Sequence, residues 1–83
     1  MRMFDAMIFK REIGASCKLD VEILQTLKDG LVLRIMESSV DEDSLARITD
    51  FVSRNELNLL LDNGVYFISK KILLPSMPAY LSE

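Results

Sequence analysis

Apolar and polar residues follow regular patterns along this chain, and the period of the pattern changes from one segment to the next. Met3 to Phe9 is a short apolar run, which favours a strand buried on both faces. Residues 12–19 alternate strictly between apolar and polar positions, as expected for a strand with one buried face. The run 3–9 is equally compatible with the start of a buried helix, so both interpretations stay open.

The middle of the chain predicts a helix followed by a strand. Apolar residues recur at helical spacing between positions 21 and 28, and Asp20 can cap the first turn of such a helix. Gly30 is suited to end it, because glycine readily adopts the left-handed conformation of a helix terminus. The apolar run 31–37 then predicts a strand.

A second helix has clearer boundaries. Ser39 and Glu42 have the three-residue spacing of a capping box, and Asn55 is a suitable end. Four apolar residues recur on one side of this helix: Leu45, Ile48, Phe51 and Val52.

The strongest local signal is a β-hairpin over residues 57–73. Asn63 and Gly64 meet the need of a two-residue type I′ turn for two positive φ angles. This turn pairs Leu61 with Tyr66, and therefore also places Leu60, Val65 and Phe67 on the opposite face.

These elements predict an α+β fold with two layers. We expect a mixed sheet of four or five strands with two helices on one face, in the order β-β-α-β-α-β-β. The alternative, with a helical first segment, is a βαβ unit followed by the hairpin. Residues 1–83 are expected to form a single domain, in which 75–83 is a non-regular tail because Pro75 and Pro78 each remove a backbone donor.

Composition removes most enzyme chemistries. The chain has no histidine and no tryptophan, and its only cysteine is Cys17, so histidine bases, cysteine–histidine dyads and intrachain disulfides are all absent. We therefore name no catalytic residue and no cofactor. A single thiol fits a reducing compartment, and Met1 to Phe9 is too short for a signal peptide or a membrane span, so we expect a cytoplasmic protein.

Charge is unevenly distributed, with a total of −3. Residues 1–19 carry a net +2, residues 20–63 a net −6 and residues 64–83 a net +1. The acidic middle argues against nucleic-acid binding, which depends on lysine and arginine neutralising phosphates.

Four acidic residues are candidate ligands for a divalent cation, because they bracket the junction between the strand and the second helix: Glu37, Asp41, Glu42 and Asp43. Helix capping explains them more simply, since carboxylates stabilise a helix N-terminus and that terminus repels a cation. We therefore predict no metal site.

The remaining clue is surplus apolar surface. Two helices on one face of the sheet leave the other face bare, and Leu60, Val65 and Phe67 lie there. We hypothesise a small non-catalytic interaction or assembly module that binds a second copy or another protein through these residues. Two alternatives are an acid-base or metal-dependent enzyme whose site forms at a dimer interface and, with weaker support, a nucleic-acid-binding protein.

Overall fold

The computed structural model describes residues 1–27 and 30–71. Its elements follow the order helix, strand, strand, helix, strand, strand. The elements are α1 (Met3–Cys17), β1 (Glu22–Thr26), β2 (Gly30–Met36), α2 (Glu42–Arg54), β3 (Asn58–Asp62) and β4 (Val65–Ser69). A short 3-10 turn, Glu37–Ser39, separates β2 from α2.

The strands form one sheet in the order β1-β2-β4-β3, and both helices pack on the same face of it. The predicted α+β class, with two helices on one side of a four-stranded sheet, is confirmed. The expected mixed sheet is not formed, because every neighbouring pair of strands is antiparallel. A two-residue turn joins β3 to β4, and β2 and β4 meet in opposite directions at the centre of the sheet.

The largest correction concerns the first segment. Residues 3–9 and 12–19 do not form two strands, because Met3–Cys17 is one continuous helix. Ala6, Phe9 and Ile13 recur at intervals of three and four, and they face the core. The helix ends at Lys18, whose φ of 56° is left-handed. The open alternative of a helical start is therefore correct, but the βαβ unit expected with it is not formed.

The predicted helix over 21–28 is also wrong, since Glu22–Thr26 is the edge strand β1. It pairs antiparallel with β2, with Ile23 opposite Leu33 and Thr26 opposite Gly30. Eight residues are too few for a helix that is stable by itself, whereas the neighbouring strand offers a complete ladder of backbone partners. Tertiary pairing thus overrides the local spacing.

Helix α2 is confirmed, with a different cap. Asp41, not Ser39, is the N-cap, and its Oδ1 accepts the backbone N–H of Ser44 at 2.8 Å. Ser39 lies in the 3-10 turn, where its hydroxyl donates to the carbonyl of Met36. Asn55 ends the helix as expected, and its amide donates to the carbonyl of Phe51.

The C-terminal hairpin is confirmed over the described residues. Asn63 and Gly64 both have positive φ, and Leu61 pairs with Tyr66 as the two-residue turn requires. The second strand was expected to continue to residue 73, but β4 ends at Ser69 and the chain bends at Lys70 and Lys71. The expected tail 75–83 lies outside the described residues.

The core lies between the helices and the sheet. The ring of Phe9 in α1 meets the ring of Phe51 in α2 edge to face, with centroids 5.5 Å apart. Ile13, Leu33 and Ile48 are essentially inaccessible to solvent. Among residues 1–27 and 30–71, neither helix combines the length and the apolar composition needed to span a membrane.

Candidate interaction surface

The two faces of the sheet differ in what covers them. In the part of the chain that the structure describes, both helices pack on the face that carries Leu33, Ile35 and Ile68. Residues at the alternating positions of each strand point to the opposite face, which we call the open face. Strand pairing arranges its side chains in rows across the sheet.

The first row of the open face consists of Leu24, Val32, Ser69 and Asn58, one from each strand. Leu24 pairs with Val32, Asn58 pairs with Ser69, and the register of β2 with β4 places Val32 beside Ser69. Val32 is only 2% exposed and Ser69 is fully buried. The two central residues of this row are therefore inaccessible to solvent, whereas Leu24 on the edge strand is exposed.

The remaining apolar residues form what we call the apolar patch: Met36, Leu60, Val65 and Phe67. Leu60 pairs directly with Phe67, and Met36 pairs with Val65. The side chain of Met36 is half exposed, and the other three are partly exposed. The three residues predicted from the sequence are thus neighbours on one face. Met36 was not among the predicted residues of this surface, because the sequence did not predict that β4 pairs with β2.

A charged pair borders the apolar patch on the β1 side. Arg34 lies opposite Phe67, and its Nε donates to Glu22 Oε1 at 2.8 Å. Both side chains are substantially solvent-exposed, so the pair adds little to stability. Its effect is to give the patch a polar rim, which is the usual arrangement at protein interfaces.

The four acidic residues considered as cation ligands lie at the starts of helical segments, as the capping explanation expects. Glu37 begins the 3-10 turn, Glu42 and Asp43 lie in the first turn of α2, and Asp41 caps that helix. The backbone N–H of Ser44 holds the pKa of Asp41 below its ordinary value. Among the described residues, no group of three or more acidic or cysteine side chains is arranged to hold a metal ion.

Two further side chains with possible chemical roles, the Cys17 thiol and the Tyr66 ring, are taken up by packing. The Cys17 thiol is half-buried at the end of α1, 3.9 Å from the carbonyl of Ser44. Tyr66 is buried on the helix side of β4, while Phe67 points to the open face. A nucleobase could therefore not stack on both rings.

A second exposed apolar region, on the outer side of α1, was missed by the sequence interpretation. Phe4 is 72% exposed, and Met3 and Met7 are more than half exposed. Beside them, Gly14, Leu19 and other residues line a groove of about 630 Å³. The sequence does contain a signal for this region. If residues 3–17 are placed on a helix, their apolar side chains lie on more than one side, so some of them must remain exposed.

Comparisons of the chain with protein-family models, with curated proteins and with solved structures find no match. The function must therefore be inferred from the surfaces of the molecule. The apolar patch lies on the sheet face beside the charged pair Arg34 and Glu22, whereas the α1 region combines a helix surface with the adjoining groove.

Proposed function

We propose that this protein is a small non-catalytic assembly module that associates with a second copy of itself through the apolar patch. The observation that carries the proposal is the position of Leu60, Val65 and Phe67 together with Met36 on the open face. Clustered apolar side chains of this kind favour association, because a partner removes them from water.

The geometry of the open face favours a second sheet as the partner surface. Antiparallel sheets commonly pack face to face about 10 Å apart, with side chains from the two inner faces interdigitating. Phe67, on the central strand β4, is the largest side chain of the patch and would be the main anchor of the contact.

A second copy is the partner proposed because most soluble oligomers are symmetric assemblies of one chain. In a two-fold dimer the same patch serves on both sides, so each apolar residue meets an apolar surface. The border carries both signs of charge, Arg34 and Glu22, and an identical partner is therefore not repelled. We place this module in the cytoplasm, since its single cysteine, Cys17, suits a reducing compartment.

The test is to change Phe67 to aspartate and measure molar mass by light scattering over a range of concentrations. We expect the wild-type chain to associate and Phe67→Asp to remain a monomer, because the dimer would bury an unpaired charge. The amide spectrum should still show the signals of the Asn63–Gly64 turn, which demonstrates that the hairpin has formed.

Phe4→Asp is the matched control, because it makes the same substitution at an exposed phenylalanine on the other side of the molecule. It should associate as the wild type does. A wild-type chain that stays monomeric at high concentration, or a Phe67→Asp chain that stays associated, would overturn the proposal. Dissociation by Phe4→Asp alone would assign the contact to α1 instead.

A further inference from the structure

The groove beside α1 takes no part in the association proposed above, because none of the four residues of the apolar patch lines it. We call it the α1 groove. It has a volume of about 630 Å³, and its lining comes from α1 and from the segment that connects α1 to β1. Its larger apolar side chains are Phe4, Met7, Ile8, Leu19 and Val21.

The residues that α1 contributes to this groove have the spacing of a single helix face. Phe4, Met7, Ile8, Arg11 and Ala15 follow the pattern i, i+3, i+4, i+7 and i+11. At a rise of about 1.5 Å per residue, this stripe is about 16 Å long. A second helix can pack along such a stripe, because the side chains of one helix form ridges that fit into the grooves of another.

The walls of the α1 groove suit an extended partner better than a small ligand. Phe4 is 72% exposed and Met7 is 57% exposed, and Lys10, Arg11 and Ala15 are exposed as well. Pockets for small molecules generally bury about 70–90% of the ligand surface, and walls this exposed do not enclose a ligand to that extent. A helix laid along the stripe would instead remove the apolar side chains from water.

The charge of the groove favours an acidic partner. Lys10 and Arg11 both line the groove, against a single acidic residue, Asp20. In the described part of the chain, neither base forms an ion pair or a side-chain hydrogen bond. Residues 1–19 carry a net +2, although the whole chain carries −3. Carboxylates on a bound helix would pair with the two bases, whereas a basic helix would be repelled.

We propose that the α1 groove binds an acidic amphipathic helix of a partner protein. The apolar side of that helix packs on Phe4, Met7 and Ile8, and its acidic residues lie beside Lys10 and Arg11. The flexible methionine side chain can adapt to the shape of the partner. Because the groove and the apolar patch consist of different residues, each copy in a self-associated module keeps its own groove.

The test uses two synthetic helical peptides of about five turns, each with leucine at i, i+3, i+4 and i+7 spacing. One peptide carries glutamate along both borders of the leucine stripe, and the other carries lysine at the same positions. Nuclear magnetic resonance titration of the isotope-labelled chain measures Kd and locates the site. We expect the glutamate peptide to shift the signals of Met7, Lys10 and Arg11. It should bind about tenfold more tightly than the lysine peptide, whose charges are repelled.

Charge reversal tests the role of the two bases. The double variant Lys10→Glu and Arg11→Glu should bind the lysine peptide more tightly than the glutamate peptide. The matched control is Lys70→Glu with Lys71→Glu, which reverses two neighbouring exposed lysines outside the groove and should keep the wild-type preference. Phe67→Asp should also keep it, so failure of the proposed self-association would leave this result unchanged.

The apolar contact is tested by Phe4→Ala. We expect this variant to bind the glutamate peptide about tenfold more weakly, because it removes the largest apolar side chain of the groove. Its urea unfolding midpoint should match that of the wild type, since Phe4 is exposed. Equal affinity of this variant and the wild type would contradict the proposed contact.

Vesicles of phosphatidylglycerol serve as a third probe, because a membrane surface can also supply negative charge. The proposal would be overturned if the glutamate peptide failed to bind at millimolar concentration, or if both peptides bound equally well. Vesicle binding that is lost in the Lys10→Glu and Arg11→Glu chain, without binding of the glutamate peptide, would assign the groove to a membrane surface and would also overturn it.

Discussion

The two halves of the molecule have the same order of elements, a helix followed by two antiparallel strands, but their sequences differ in how clearly they encode that order. The second half has a capped, strongly amphipathic helix and an Asn63–Gly64 turn. In the first half, α1 has no side-chain cap at Arg2, and exposed apolar residues such as Phe4 lie opposite its buried side.

This difference shows that a helix can be specified by its contacts rather than by its own sequence pattern. Helix α2 buries one stripe and presents polar residues such as Arg54 to solvent. The position of α1 depends instead on what it contacts, through Ile13 in the core and the edge-to-face contact between Phe9 and Phe51. Local pattern fixes one helix, whereas tertiary packing fixes the other.

The largest expected change in the free energy of unfolding comes from core substitutions, which test whether both helices contribute equally to the core. Ile13 in α1 and Ile48 in α2 are both essentially buried. We expect Ile13→Ala and Ile48→Ala each to lower the free energy of unfolding by about 2–5 kcal/mol, because each leaves a cavity. Urea unfolding measures the loss.

Met7→Ala is the control for this pair, since Met7 is exposed on α1, and we expect a change of no more than about 0.5 kcal/mol. A loss at Ile13 similar to that control would mean that α1 is not part of the cooperative fold, and would break the equivalence of the two halves.

An intermediate effect is expected at two glycines with positive φ, Gly30 at the start of β2 and Gly64 between β3 and β4. Gly30 and Gly64 have φ angles of +73° and +79°, and a Cβ added at either position would meet nothing within 4 Å. Alanine at each should therefore cost about 1–2 kcal/mol of unfolding free energy, from backbone strain alone. Thermal and urea unfolding of Gly30→Ala and Gly64→Ala measure this.

Gly14→Ala is the opposite case, because Gly14 is helical and its added Cβ would make an ordinary 3.5 Å contact with the carbonyl of Leu19. We expect it to stabilise the protein by about 0.5–1 kcal/mol. If Gly30→Ala were neutral while Gly64→Ala were costly, the positive φ angles at the two glycines would not be equally important for stability.

The smallest effect concerns the cap that only the second half possesses. The folded pKa of Asp41 is below its unfolded value, which is about 3.9. Its ionised form therefore adds stability above the unfolded pKa, and this contribution is lost as the pH falls through the folded pKa.

Asp41→Asn keeps a capping oxygen and removes the charge, so it is the variant to compare with the wild type. The difference in unfolding free energy between the two chains should be greatest near neutral pH and should shrink as the pH falls below about 4. A difference that does not change with pH would assign the role of Asp41 to hydrogen bonding alone.

Local signals explain what the sequence predicted correctly. The Asn63–Gly64 turn fixes the register of its hairpin, and this register alone places Leu60 beside Phe67. Strand β1 was missed because its conformation depends on pairing with β2, which the spacing of its own residues does not reveal. Helix α1 was expected only as the alternative for the first segment, because alternation over residues 12–19 also suits a strand.

The candidate surface was predicted only in part, for a related reason. Met36 joins the apolar patch because β2 lies beside β4, and that neighbour relation is set by the sheet order rather than by any turn. The pattern of one strand cannot specify which strand or segment lies next to it.

Contacts between two molecules at the apolar patch are the most direct test of the account. A sample that mixes isotope-labelled and unlabelled chains allows nuclear magnetic resonance to detect only intermolecular proton contacts. The account predicts contacts between the Phe67 ring of one molecule and the methyl groups of Leu60 and Val65 in the other. Intermolecular contacts confined to Phe4 and Met7, or none at all at high concentration, would contradict it.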